Sequence, residues 1–281
     1  VPPADAIADA TADDVLALFD RVVAAVVAAL AGQTDWDLVV GGAHAAQYAH
    51  DRTADDAALA VLHAAGVGVL SEESGRSGPE HAIVVVVDPV DGSTNAARRL
   101  PWWSTSLCAV DADGPWVAMV HDHASGLRYT AVRGHGARVT AADAPGAPDA
   151  ATAATAVARP ATPSLAGAVI SLAGWPPRHG GWAQFRAYGS LALELCHVAS
   201  GALDGHVQFV CDEVAPWDYL AGALVCREAG AWVVDAFGRD LLVLEHAARR
   251  TPVAAGSRAL CDELVALRRS CDPRPSGTAA P

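Results

Sequence analysis

Lysine is absent from this 281-residue chain: all 19 basic residues are arginine, against 32 acidic ones, for a formal net charge of −13. That shortage of positive charge opposes binding to a nucleic acid polymer or to an anionic membrane surface, both of which call for a dense basic face. The missing lysine itself, beside abundant Ala, Val and Gly, reads as the compositional bias of a GC-rich genome and receives no role. No uncharged apolar run reaches the ~18 residues of a membrane span, and no secretory apolar segment opens the chain. The six scattered cysteines form neither a CxxC pair nor a zinc-type Cys/His spacing, so a reducing cytoplasm is the default expectation. Charge is sparse, at 18% of residues against 52% hydrophobic, which excludes extensive disorder; the length allows a substantial core.

What is present has helical and strand periods in turn. Val15, Leu18, Phe19, Val22, Val26 and Leu30 recur at helical spacing behind Thr11, a candidate N-cap, with Gly32 as the stop. A second helix is expected from about Thr53 to Gly66, followed by the apolar run VGVL and the acidic turn SEESG. Residues 82–87 read as a strand buried on both faces. Between Trp103 and Thr140, apolar stretches separated by DADG, HASG and RGHG predict an antiparallel meander. The Ala/Pro/Thr-rich segment 143–164 marks a boundary, placing an N-terminal α+β half at 1–150 and a C-terminal α/β half at 151–271. In that second half VISLAG and AWVVD read as strands, GSLALELCHVASG and WDYLAGALVCREAG as helices; residues 272–281 read as a disordered tail.

The stretch VVVVDPVDGSTN, residues 84–95, drives a buried strand into two aspartates. Carboxylates at such a place stay ionised only if something positive lies between them, and a divalent cation meets that need. Asp88 and Asp91, with the carbonyl of Val90 between them, form a hard oxygen set suited to Mg²⁺. The following Gly92, Ser93 and Thr94 offer successive backbone N–H groups able to hold a phosphate oxygen. Taken alone, such a turn is as well explained by aspartates capping the next helix. Two further acidic segments shift the balance: Glu72 and Glu73 after an apolar strand, and Asp218 behind Pro216 and Trp217 at a helix start.

In this order, SEES, DPVDGSTN and PWD with EAG ten residues later, the chain resembles the inositol monophosphatase family of Mg²⁺-dependent, lithium-sensitive phosphatases. The likeness spans roughly residues 12 to 260. It implies a layered α/β/α/β/α sandwich of the inositol-monophosphatase/fructose-bisphosphatase type, two or three Mg²⁺ ions per site, and a homodimer. Carried over by position, it makes Glu72, Asp88 and the Val90 carbonyl ligands of a first ion. Asp88, Asp91 and Asp218 would hold a second, and Glu73 would support the first. Gly92 and Ser93 match the phosphate-holding positions, and the Ser93 hydroxyl the group that helps orient the attacking water. Gly189, Ser190 and Leu191 match the turn contacting the alcohol of the substrate. The family's water-polarising aspartate falls in HDRTADDAA, where alignment on Thr53 selects Asp56 and helical phase selects Asp55; both stay open. Asp212 and Glu213 are candidates for substrate hydroxyls.

The reaction implied is hydrolysis of a small polyol or sugar phosphate, such as inositol monophosphate, by water activated at the metal. Histidinol phosphate and a 3'-phosphoadenosine nucleotide are alternative substrates, and a non-catalytic phosphometabolite-binding regulator is the reading from another class. Asp88 and Asp91 are three residues apart, whereas aspartyl phosphatases with DxDGT need a separation of two. His121 and His123, on either side of Asp122, are expected to be ordinary strand residues.

Overall fold

The computed structural model describes residues 10–33, 36, 38–39, 47–79, 82–141, 155–157 and 164–272. The expected boundary at 150, most of the linker at 143–164 and the tail beyond Asp272 lie outside them.

Helix α1 (Ala12–Ala31) starts where its cap predicts. The Thr11 hydroxyl accepts the Asp14 N–H at 3.2 Å, and the Asp14 carboxylate takes the Thr11 N–H at 2.9 Å. This reciprocal pair satisfies two donors of the first turn. After the short pair β1 (Leu38–Val39) and β2 (Gln47–Tyr48), helix α2 runs Ala49–Ala64. It begins four residues before the expected Thr53. The cause is Asp51, whose carboxylate accepts the Tyr48 N–H at 3.0 Å and closes the first turn from position N3. Thr53 lies inside the helix, its hydroxyl donating to the Ala49 carbonyl at 3.3 Å.

The first sheet contains β3 (Gly68–Ser71), β4 (Gly75–Ser77), β5 (Val84–Asp91), β6 (Ser104–Asp111), β7 (Gly114–Asp122), β8 (Leu127–Val132), β9 (Gly136–Ala141) and β10 (Thr155–Ala156). Its order is β10-β9-β8-β7-β6-β5-β3-β4. The expected meander is β6 to β9, all antiparallel, while β3 and β5 run parallel. β5 is buried throughout because both faces are covered. Val85 and Val87 pack towards α1 and α2, and Val84 and Val86 pack the other way. Burial at about 1.5 kcal/mol or more per valine anchors the strand that delivers Asp88 and Asp91. The strand continues past residue 87 to Asp91, and its pairing with β6 shifts register between Asp88 and Asp91. A short helix, α3 (Ser93–Ala97), follows.

Beyond residue 164 come β11 (Val169–Ala173), β12 (Gln184–Arg186), α4 (Leu191–Ser200), β13 (Gly205–Gln208), α5 (Pro216–Glu228), β14 (Trp232–Asp235), β15 (Pro252–Ala255) and α6 (Arg258–Ser270). The second sheet has the order β12-β11-β13-β15-β14. Helices α4 and α5 form one apolar cluster with the inner face of the first sheet and with Ala254 of β15. Leu260, Leu264 and Leu267 of α6 pack on the outer face of the second sheet. The result is the expected α/β/α/β/α layering, with α1 and α2 outermost on one side and α6 on the other. Residues 155–156 pair with β9, so the first sheet extends past residue 151. Among the described residues no helix is long and apolar enough to cross a membrane.

Candidate active site

Parallel pairing of β3 and β5 places Ser71 beside Val87, so the next residues in each strand direction, Glu72 and Asp88, emerge together. Asp218 reaches them from the first turn of α5. That turn is pinned to the first sheet by the Ser106 hydroxyl, which donates to the Trp217 carbonyl at 2.9 Å. The Asp218 carboxylate, at the third position of the helix, also reaches back to accept the Ala215 N–H at 2.6 Å and closes its first turn. One carboxylate oxygen from each of Glu72, Asp88 and Asp218 lies within 4.8 Å of the others.

These carboxyls are held far from their ordinary behaviour. Burial, followed by the charges of Asp218 and Glu73, raises Glu72 well above the usual range. Burial, followed by Glu72, Asp91 and Asp218, does the same to Asp88. Asp218 is pushed to about 7 by burial and by Asp91, with Arg249 opposing. Glu72 and Asp88 stand too close for both to be ionised unless a proton or a cation lies between them. An all-carboxylate donor set with this much unbalanced negative charge fits a hard divalent cation in the proton's place.

Asp91 is turned differently. Its Oδ2 accepts the Ser190 hydroxyl at 2.7 Å and the Ala192 N–H at 2.8 Å. It thereby occupies the start of α4, a favourable place for negative charge. Burial nevertheless raises it to about 6, and its charge is felt at both Asp88 and Asp218. Ser190, placed at the N-cap of α4, makes no cap bond because its hydroxyl goes to Asp91. The two halves meet here: a Cβ on Gly92 would sit 3.1 Å from the Gly189 carbonyl, and Gly92 has φ +95°, so glycine is required. Asn95 fastens the same contact, donating to the Tyr188 carbonyl at 2.6 Å and the Trp102 carbonyl at 2.8 Å. The first helical bond of α3 is made by the Asn95 and Ala96 N–H groups to Gly92, so Ser93 and Thr94 precede it. The Ser93 hydroxyl donates to the Val90 carbonyl at 2.9 Å, and Thr94 meets the Tyr48 phenol at 3.1 Å.

Neither aspartate expected to polarise water lies beside Ser93. Asp55 is buried, with both carboxylate oxygens taken by the Ser71 and Ser74 hydroxyls, so it braces the Glu72 turn. Asp56 is exposed on the opposite face of α2. The aspartate the structure places there is Asp51. Burial raises it to about 6, while the Tyr48 N–H and the Ser93 hydroxyl lower it, and its charge is felt at Glu72. A helix start at Thr53 leaves Asp51 in the preceding loop, and Tyr48, which offers no side-chain cap, does not mark the earlier start. Asp51 also has a buried neighbour, His50, whose Nε2 is 3.2 Å from Asp51 Oδ1 and whose ring burial lowers to about 4.

Glu73 stands next to the three-carboxylate group. Burial, then Asp51 and Asp55, raises it to about 7. Gly189 donates its N–H to Glu194 at 3.1 Å, and Leu191 is buried at the head of α4. Glu213 accepts the Gln208 amide at 2.7 Å, whereas Asp212 is tied to Arg239 and Thr251. His123 is bonded to the Thr105 hydroxyl at 2.8 Å, and Asp122 to its own turn at Ala124 and Ser125.

The sequence profile described as the inositol monophosphatase family matches residues 17–272. The chain is 30% identical over 223 residues to a fructose-1,6-bisphosphatase of Pyrococcus furiosus, spanning 77% of this chain and 81% of that one. It is 34% identical over 181 residues to the Nus factor SuhB of Escherichia coli, spanning 60% of this chain and 63% of that one. Among solved structures, a Pyrococcus horikoshii protein described as having similarities to inositol-1 monophosphatase superposes with a TM-score of 0.73 at 22% identity. That superposition covers 90% of this chain and 95% of the other.

Proposed function

Since the chain belongs to the inositol monophosphatase family and is a metal-dependent phosphatase, we propose that it hydrolyses the phosphate monoester of a small polyol or sugar with Mg²⁺ as its cofactor. The observation that carries this reading is the convergence of Glu72, Asp88 and Asp218, from three separate elements, to within 4.8 Å. A binding module has no need to collect mutually repelling carboxylates at the end of its most buried strand. The similarity to a fructose-1,6-bisphosphatase favours a sugar or polyol over other alcohols.

On this reading Glu72, Asp88 and Asp218 hold the ions, with Asp91 and the Val90 carbonyl beside them and Glu73 in support. Bound Mg²⁺ supplies charge neutralisation for the phosphate oxygens and the departing alkoxide, and makes water acidic enough to attack. The chain's own groups do the rest. The N–H groups of Gly92, Ser93 and Thr94 hold the phosphate; Gly189, Ser190, Leu191 and Glu213 face the alcohol. The Ser93 hydroxyl orients the attacking water, and Asp51, raised to about 6 by burial, accepts its proton near neutral pH. Asp51 thus takes the role expected of Asp55 or Asp56. No covalent phosphoenzyme is required.

The similarity to a protein named as a Nus factor supports a second reading, a regulatory protein that binds a phosphorylated metabolite without turnover. Phosphate release decides between them. A panel of inositol monophosphate, fructose 1,6-bisphosphate, histidinol phosphate and 3'-phosphoadenosine 5'-phosphate is assayed with Mg²⁺, with and without Li⁺. Mg²⁺-dependent release that Li⁺ suppresses is expected for at least one sugar or polyol ester. Release from none of the panel rejects the catalytic reading in favour of the regulatory one.

A further inference from the structure

Glu72 comes from the first sheet and Asp218 from a helix of the second half, and one side chain touches the frame of both. The imidazole of His246, on the loop between β14 and β15, has its Nε2 3.0 Å from the backbone carbonyl of Glu72. A carbonyl oxygen only accepts, so Nε2 carries the proton and donates. The same ring lies against the indole of Trp217, centroids 4.8 Å apart and planes at 35°. Trp217 directly precedes Asp218 and is buried.

The loop carrying His246 is itself held. The Arg249 guanidinium donates to the His246 carbonyl at 2.8 Å and lies 5.4 Å over the Trp217 ring. The Arg250 N–H donates to the Val214 carbonyl at 2.8 Å, just ahead of α5. On the other side, the Glu72 N–H bonds the Val87 carbonyl at 3.3 Å, and Asp55 braces the turn through Ser71 and Ser74. The Glu72 turn is therefore fixed to its own sheet at Val87, to α2 through Asp55, and to the Asp218 side by His246.

We propose that His246 is a positioning residue for the metal centre: its Nε2–H bond to the Glu72 carbonyl, made while its ring rests on Trp217, sets the separation of the Glu72 and Asp218 carboxylates. This rests on the assignment of those carboxylates as metal ligands above. Metal sites depend on groups that orient the ligands from behind, and losing one such group costs ~10–100-fold in affinity. A carboxylate pair drawn from a strand end and from a helix far along the chain has no local backbone to fix its spacing, so a contact spanning both has greater leverage than one within either.

Two substitutions separate the bond from the stacking. His246→Phe keeps a ring against Trp217 and cannot donate; His246→Gln loses the ring, while its amide can place a donor where Nε2 stood. Mn²⁺ binding is measured by electron paramagnetic resonance on the metal-stripped full chain, with thermal unfolding and ester hydrolysis in parallel. The expected result is a Kd for Mn²⁺ raised about tenfold in H246F and within about threefold of wild type in H246Q. KM for the ester at saturating metal should be unchanged in both. Wild-type affinity in H246F, or an equal loss in both variants, overturns the inference even if the protein turns over. If H246F does not fold, His246→Asn, too short to reach the carbonyl, must show the tenfold loss for the inference to stand. A wild-type chain that binds no Mn²⁺ rejects the metal-ligand assignment along with it.

Discussion

Replacing Asp218 by Asn should make the metal-free fold more stable at alkaline pH, although the same change removes a proposed ligand. Burial and Asp91 raise Asp218 from 3.8 to about 7 in the folded chain. The folded state thus binds a proton that the unfolded chain has already lost, and the associated stability disappears as pH rises through about 7. Between pH 5 and 8 the unfolded carboxyl gains about 4 kcal/mol from ionising and the folded one about 1.5, so the wild type loses roughly 2.5 kcal/mol that the Asn variant keeps. The comparison with the variant is essential. Other shifted groups titrate over the same interval in both proteins: the raised carboxyls of Glu72, Glu73, Asp88, Asp91 and Asp51 act in the same sense as Asp218, and the buried His50, His121 and His123, lowered to about 4, 4 and 3, act in the opposite one. Asn also keeps a side-chain oxygen at the third helical position that can accept the Ala215 N–H.

The assay is thermal unfolding of both proteins in EDTA at pH 5 and pH 8. At ~2–4 °C per kcal/mol for a chain of this size, the Tm of D218N relative to wild type should rise by roughly 5–10 °C across the interval. Mg²⁺ at a hundred times its Kd should close the gap at pH 8, because it stabilises the wild type by about 2.7 kcal/mol. A Tm difference independent of pH, or equal stabilisation of both proteins by Mg²⁺, would refute the argument.

Three other perturbations test the site. Asp51→Asn should lower kcat by ~10²–10⁴-fold with little change in KM, whereas Asp55→Asn, which leaves an acceptor oxygen for only one of the Ser71 and Ser74 hydroxyls, should chiefly cost ~1–3 kcal/mol of stability; steady-state kinetics and urea unfolding of the pair separate the roles, and a catalytic loss confined to D55N would return the assignment to Asp55. Asp88→Asn should abolish turnover while leaving the circular dichroism spectrum unchanged, and retained activity counts against the metal assignment. Gly92→Ala forces a Cβ to within 3.1 Å of two backbone oxygens, of Gly189 and Trp102, at φ +95°; a loss of at least ~1–3 kcal/mol is expected in denaturant titration, and wild-type stability would show that the two turns can move apart freely.

Much of the arrangement was legible in the chain because its signals are local. The cap at Thr11, the glycine turns of the meander and the valine run each act within a few residues, and the elements form where these place them. The parallel pairing of β3 with β5 then brings Glu72 to Asp88, a consequence of two strand ends that the sequence marks plainly. Asp51 escaped because Tyr48 has no capping oxygen of the usual kind and Thr53, a better-looking start, draws the eye four residues on. The bond of Ser190 to Asp91 joins residues 99 positions apart, which no local pattern marks. His246 had no sequence signal, since its partners Glu72 and Trp217 come together only through the packing of α5 on the first sheet.

The near-contact of Gly92 with the Gly189 carbonyl has one more implication. On the proposed assignment these turns grip opposite ends of one small molecule, and the space between them does not freely admit even one added methyl group. A bulkier alcohol cannot be admitted by spreading the halves, since that would drag the phosphate cradle along with it. On that assignment selectivity would be tuned by side chains such as Glu213, while the central seam keeps a fixed gauge.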